Sequence, residues 1–386
     1  MNSQVALLES TAVLANGSLG ICNSTELLRF PALRNFYAFG DSYSAGIGAN
    51  CGWVKDEYDV KGSCLKCDGA FPYQIIEVAN ASDCMEVYHV GCTGASMTDI
   101  LETGWNNRTS QLELMNSTAG QGGWGTLSIG GNDVGFAHIV ANCIMFDRPT
   151  CDADLGFTED LIRDPLLLSR FTETYLRVLG AANDSDFRLI VPGYAQFFNA
   201  ETEICDNQYI FYGRYLTQEF RARLNKMISD LNLVIQVAVA IVQMQLVFSN
   251  SGKAIYYEDW DSLFWGHRFC EEAPKGWADA WFFTINGADT LPNDTVVSAG
   301  TDPPEGEELV DIMSLATNCD GQPQANLTAQ MLCDWALKLE EGIEPSGNVS
   351  ARGYPWWITK TLHPKSIAHW QLGKMIFKKW TNGDYA

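Results

Sequence analysis

The sequence predicts an α/β fold of three layers, a central and mostly parallel sheet covered by helices on both faces. Two observations carry this. Short apolar runs alternate with longer stretches at helical spacing, as strands do when each is joined to a parallel neighbour by a crossover helix. The first three runs also give way within a few residues to the polar, glycine-rich clusters GDSYSAGIGAN, GCTGASMTD and GGNDVGF. Open α/β sheets build their ligand sites from loops of that kind at the carboxyl ends of strands.

In chain order, the candidate strands are residues 36–39 (FYAF), 87–90 (VYHV), 126–129 (TLSI), 189–191 (LIV) and 254–257 (AIYY). A long helical pattern runs through Leu216, Phe220, Leu224, Met227, Ile228, Leu231 and Ile235 and continues to residue 248. Asn232, Gln236, Gln243 and Gln245 interrupt its most apolar part, so it reads as a buried core helix and not as a membrane span. The amphipathic stretch 366–377 reads as the last helix. Residues 287–321 are rich in Asp, Glu, Pro, Thr and Gly and read as a surface insertion with no core of its own. The expected organisation is an N-terminal extension over 1–34 and one domain over 35–381.

Composition narrows the function. Of 386 residues 46% are hydrophobic, enough for a sizeable core, and 47 acidic against 25 basic side chains give a formal charge of −22. With no basic run, a nucleic-acid partner is excluded as the default, and anionic membranes would repel the chain. Twelve cysteines, an even number, and nine Asn-x-Ser/Thr sequons suit an oxidising secretory route. A signal peptide is not evident, since MNSQVALLESTAVLA has no basic start and carries Glu9 in its apolar stretch. Cys64 and Cys67 alone have metal-knuckle spacing, and no second ligand pair follows. There is no G-x-S-x-G elbow, H-E-x-x-H or P-loop, and Gly46-Ile47-Gly48 lacks the third glycine of a dinucleotide loop. No metal or cofactor is expected.

Gly40-Asp41-Ser42-Tyr43 follows directly on NFYAF, placing a hydroxyl where a strand gives way to a helix and backbone N–H groups are unpaired. Far downstream, His363-Pro364 lies just before the last helix. A Ser and a His are the minimum for an activated nucleophile. Gly94, in Cys92-Thr93-Gly94-Ala95-Ser96, and Asn132, in Gly130-Gly131-Asn132-Asp133, follow the second and third strands. Alone, Gly94 reads as a residue needing positive φ and Asn132 as an Asx turn. His89, His138 and His267 are scattered and read as structural.

Together these four blocks resemble the SGNH (GDSL-type) hydrolase superfamily, which carries Ser, Gly, Asn and His in that order. The resemblance spans residues 36–377 and rests on GDSYSAGIGA, SIGGNDVGF and the terminal LHP. GYAQFFN at 193–199 and GHRFC at 266–270 look like the secreted, disulfide-bonded lipases and esterases of that superfamily. The resemblance implies the SGNH, flavodoxin-like hydrolase fold, with Ser42 as nucleophile and His363 as general base and then acid. The Ser42 N–H, the Gly94 N–H and the Asn132 amide would form the oxyanion hole, three preorganised donors for the charge that ester cleavage builds on one oxygen.

There are two departures from the family pattern. Lys360 stands where an acidic residue often precedes the catalytic His by three positions, so the Lys360 main-chain carbonyl is expected to orient His363. Ala368-His369 replaces a commoner Gly-His, and His369 reads as a packing residue. The resemblance also implies that Cys143 pairs with Cys151 and Cys205 with Cys270. The function it implies is a secreted carboxylic ester hydrolase acting through an acyl-enzyme on a small-molecule, lipid or carbohydrate ester. A plant-polysaccharide acetyl esterase and a non-catalytic extracellular glycoprotein remain as alternatives. Trp265, Trp277, Trp281, Trp356 and Trp357 would line an acyl groove, stack on sugar rings or simply pack.

Overall fold

The computed structural model describes residues 35–52, 54, 64–80, 85–102, 109–118, 123–145, 147–210, 213–272, 276–284, 287–297 and 360–385. The extension 1–34, most of the insertion (298–321), Cys22, Cys84, Cys319, Cys333, Trp356 and Trp357 lie outside them.

Five strands form one parallel sheet: β1 (Asn35–Gly40), β2 (Glu86–His89), β3 (Trp124–Ser128), β4 (Arg188–Pro192) and β5 (Ala254–Glu258), in the order β2-β1-β3-β4-β5. A parallel sheet covered on both sides needs strands that are apolar throughout, and every residue of β3 is buried. This strand begins two residues before the apolar run suggests, because Trp124 and Gly125 pair with Phe36 and Tyr37. Trp124 also stacks on Phe36 at 4.2 Å.

Among the described residues, the α-helices are α1 (Ser42–Ala45), α2 (Phe71–Val78), α3 (Met97–Leu101), α4 (Gln111–Thr118), α5 (Phe136–Ile139), α6 (Cys151–Arg163), α7 (Pro165–Ala181), α8 (Gln218–Phe248) and α9 (Ser366–Asn382). A π-helical turn, Val140–Met145, continues α5. The chain steps leftward from β1 to β2 and thereafter rightward, and right-handed crossovers therefore put α2 on one face and α3, α4, α7 and α8 on the other. α9 packs on α2, while α7 packs on α3, α4 and α8. The reversal lies between β1 and β3, and their carboxyl ends are where such a sheet opens a crevice.

α8 is a core helix on one side only. Phe220, Leu224, Ile228, Leu231, Ile235, Val242 and Leu246 are buried, whereas Leu233, Val237, Met244, Val247 and Phe248 are exposed. It is long and apolar enough to cross a membrane, with a mean hydropathy of 2.0 over its best 18-residue window. Its packing against α7 and β5 makes it part of the sandwich.

The described part of the insertion is not simply surface. Residues β6 (Asp289–Thr290) and β7 (Val296–Val297) pair antiparallel, and Asp289 is buried. Among the described residues, four disulfides join Cys51 to Cys67, Cys64 to Cys92, Cys143 to Cys151 and Cys205 to Cys270. Cys64 and Cys67 thus go to different partners, and no group of described residues has the makings of a metal site.

Candidate active site

The site is built at the carboxyl end of β1. Gly40 leaves the strand at φ +133°, and a Cβ there would fall 2.2 Å from the Ser128 carbonyl oxygen, so only glycine fits. The Gln111 side chain brackets this residue, accepting from the Gly40 N–H at 2.8 Å and donating to its carbonyl at 2.9 Å. Asp41 then caps α1, its Oδ1 accepting the Tyr43 N–H at 2.9 Å. Ser42 is the first residue of the turn, where backbone donors have no intrahelical partner. Among the described residues, its N–H donates to no protein group.

His363 arrives on a segment clamped from two sides. Leu362 N–H donates to the Phe283 carbonyl, Phe283 N–H to that of His363, and Lys365 N–H to that of Trp281. Asp289 accepts from both the N–H and the hydroxyl of Ser366, at the start of α9, and from the Asn50 N–H at 2.7 Å. One buried carboxylate therefore ties the His-bearing segment to the loop that follows Ser42.

This framing brings His363 Nε2 to 2.7 Å from Ser42 Oγ. On its other side, His363 Nδ1 lies 3.3 Å from the Thr361 carbonyl oxygen. A carbonyl only accepts, so this pairing places the proton on Nδ1 and leaves Nε2 free to accept from the serine hydroxyl. The expectation for Lys360 is corrected here. Its carbonyl accepts the His363 N–H at 2.9 Å and so closes a turn, and Leu362 at φ +63° swings the chain so that the Thr361 carbonyl meets the imidazole instead. The Lys360 ammonium donates to the Gly287 carbonyl at 2.7 Å, and burial pulls its pKa down to about 8. Because a main-chain carbonyl survives any side-chain change, Lys360→Met is expected to keep kcat/KM within roughly threefold of wild type, measured on a soluble ester.

Gly94 and Asn132 stand beyond the ends of β2 and β3, the two strands that flank β1. Gly94 has φ +85°, and its N–H donates to no protein group among the described residues. Asn132 gives one amide hydrogen to the Ala95 carbonyl at 2.8 Å, which fixes the carboxamide and leaves the second hydrogen for a ligand. Its neighbour Asp133 is turned away into an ion pair with Arg170 at 2.7 Å, and burial raises its pKa to about 6. Burial raises Asp41 further, to about 7.

His369, His89 and His267 have packing partners. His369 is buried against Phe71 and Trp260, accepts the Phe71 N–H at Nδ1, and is held neutral by burial, which lowers its pKa to about 3. Burial also lowers that of His89. His267 stacks on Trp281 at 4.0 Å. Trp281 is buried and Trp277 partly so, whereas Trp265 is 73% exposed beneath the Arg268 guanidinium. The contacts that sequence reading missed are those of Gln111, Asp289 and Tyr194. Only Tyr194 carried a signal, inside GYAQFFN.

The chain is 24% identical over 282 residues to Lipase 1 of Streptomyces coelicolor, an alignment covering 73% of this chain and 88% of the relative. It is likewise 24% identical to a lipase of Streptomyces rimosus, over 69% of this chain and 85% of that one. Both of these relatives carry the name lipase. The crystal structure of the extracellular lipase of S. rimosus superposes on this chain with a TM-score of 0.49 at 24% identity, covering 65% of this chain and 88% of that one. No protein-family model matches the chain.

Proposed function

We propose that the protein is a secreted serine lipase or esterase that cleaves esters through an acyl-enzyme on Ser42. The observation that carries the reading is the 2.7 Å approach of His363 Nε2 to Ser42 Oγ beside three unspent donors. His363 takes the serine proton as Oγ attacks the ester carbonyl. The oxygen that gains charge then meets the Ser42 and Gly94 N–H groups and the second Asn132 amide hydrogen. The imidazolium, steadied by the Thr361 carbonyl, passes its proton to the departing alcohol, and water repeats the cycle to release the acid. Asn132→Ala is expected to lower kcat by roughly 100- to 1000-fold, checked by steady-state kinetics on p-nitrophenyl butyrate.

Lipid esters are the proposed substrates because both relatives are lipases. A panel of p-nitrophenyl esters of increasing chain length, run beside acetylated xylan, tests this. Acyl chains longer than acetyl are expected to be cleaved fastest; preference for acetylated xylan would make the protein a carbohydrate acetyl esterase instead. Secretion is supported by the disulfides among the described residues and by sequons whose Asn80, Asn116, Asn183 and Asn293 are exposed.

A further inference from the structure

The phenol of Tyr194, which the catalytic cycle above does not use, sits between two of the blocks that do the chemistry. Its hydroxyl donates to Asp41 Oδ2 at 2.6 Å and accepts the Gly131 N–H at 3.0 Å. Asp41 precedes Ser42 and Gly131 precedes Asn132, whose amide is anchored to Ala95, the residue after Gly94. One hydrogen-bonded chain therefore visits the neighbours of all three oxyanion donors.

Tyr194 is itself immobilised. The Asn232 side chain of α8 accepts the Tyr194 N–H at 2.8 Å and donates to the Tyr194 carbonyl at 2.7 Å. Gly193 makes that grip possible, since a Cβ there would lie 2.8 Å from the Asn232 Oδ1 and 2.4 Å from the Tyr257 hydroxyl. The ring packs edge-on to Tyr43 at 5.0 Å and is buried. A hydroxyl that one helix holds this firmly, and that contacts no reacting atom, is suited to setting a spacing.

We infer that Tyr194 is a positioning residue of the oxyanion hole, holding the Asn132 donor at a fixed separation from Ser42. The inference rests on the acyl-enzyme reading and adds a residue to it. Losing the hydroxyl frees Gly131 to drift, so the charge in the transition state meets a displaced amide while ester binding is little changed.

The test is a kinetic cycle on p-nitrophenyl butyrate with Tyr194→Phe, Asn132→Ala, the double variant and Ser42→Ala. Tyr175→Phe is the control: Tyr175 is a buried tyrosine of α7 whose hydroxyl has no partner among the described residues. Tyr194→Phe is expected to lower kcat by roughly 10- to 100-fold with KM changed by less than about threefold. The double variant should be no more than about twofold slower than Asn132→Ala, because the phenol acts through that amide, and Tyr175→Phe should match wild type. A folded Tyr194→Phe protein with kcat within about twofold of wild type, or losses that multiply in the double variant, would overturn the inference. Should Tyr194→Phe fail to fold, the isosteric Asp41→Asn, whose one oxygen is claimed by the Tyr43 N–H so that an NH2 donor faces the phenol, is expected to show the same kcat-only loss, and wild-type kcat in it would be equally fatal. Full activity in both Ser42→Ala and Asn132→Ala would instead sink the acyl-enzyme reading itself.

Discussion

Ser42→Ala is expected to lower kcat by roughly four to six orders of magnitude, leaving only the slow turnover that binding and the oxyanion donors support without a nucleophile. The fold should not notice the change. The hydroxyl is half-buried and its partner is the His363 imidazole, while the turn itself is held by Asp41 and by Gly46 N–H donating to the Ser42 carbonyl, neither of which needs the side chain. The melting temperature should therefore stay within about 1 °C of wild type, a shift worth about 0.8 kcal/mol in a chain of this size. Turnover above a few per cent of wild type in the variant would point to another nucleophile.

His363→Ala should be nearly as damaging, since without an acceptor at Nε2 the serine proton has nowhere to go. For the same reason, wild-type activity should fall as pH drops through the ordinary histidine range, where a protonated imidazole can no longer act as base. The sign of the stability effect is opposite. Burial raises Asp41 to about 7 and Asp133 to about 6, so between roughly pH 4 and 7 the folded state takes up protons at these two groups that the unfolded chain does not. They strengthen the fold as pH falls through that window. Activity measured at pH 5.5 should thus be largely lost and recovered on return to pH 7.5, with no unfolding at the lower pH in a thermal scan. A kcat/KM unchanged down to pH 4 would contradict the role given to His363.

What sequence could and could not foretell follows from how local each feature is. The blocks that hold Ser42, Gly94, Asn132 and His363 stand out in the sequence because each is a short run whose composition has a local reason: glycines at sharp turns, or a Pro before a helix. Strand ends were legible to within a residue or two, and β3 was shortened because Trp124-Gly125 looks like part of the glycine-rich run before it. Thr361 was missed in favour of Lys360 because the deciding fact is a positive φ at Leu362, which nothing about leucine announces. Gln111 meets Gly40 across 71 residues, Asp289 meets Ser366 across 77 and Tyr194 meets Asp41 across 153, so their roles exist only once the chain has folded. The exposed stripe of α8 was hidden for a different reason. A helix that is apolar nearly all round does not reveal which face the core takes.

The central claim is that Ser42 is the nucleophile of an ester hydrolase, and labelling of the wild-type protein with a fluorophosphonate followed by peptide mass spectrometry tests it most directly. A single adduct on the peptide containing Gly40-Asp41-Ser42-Tyr43, mapped to Ser42 and absent from His363→Ala at matched exposure, is the predicted result. Modification of a different serine, or no adduct on protein that still hydrolyses esters, would contradict the account.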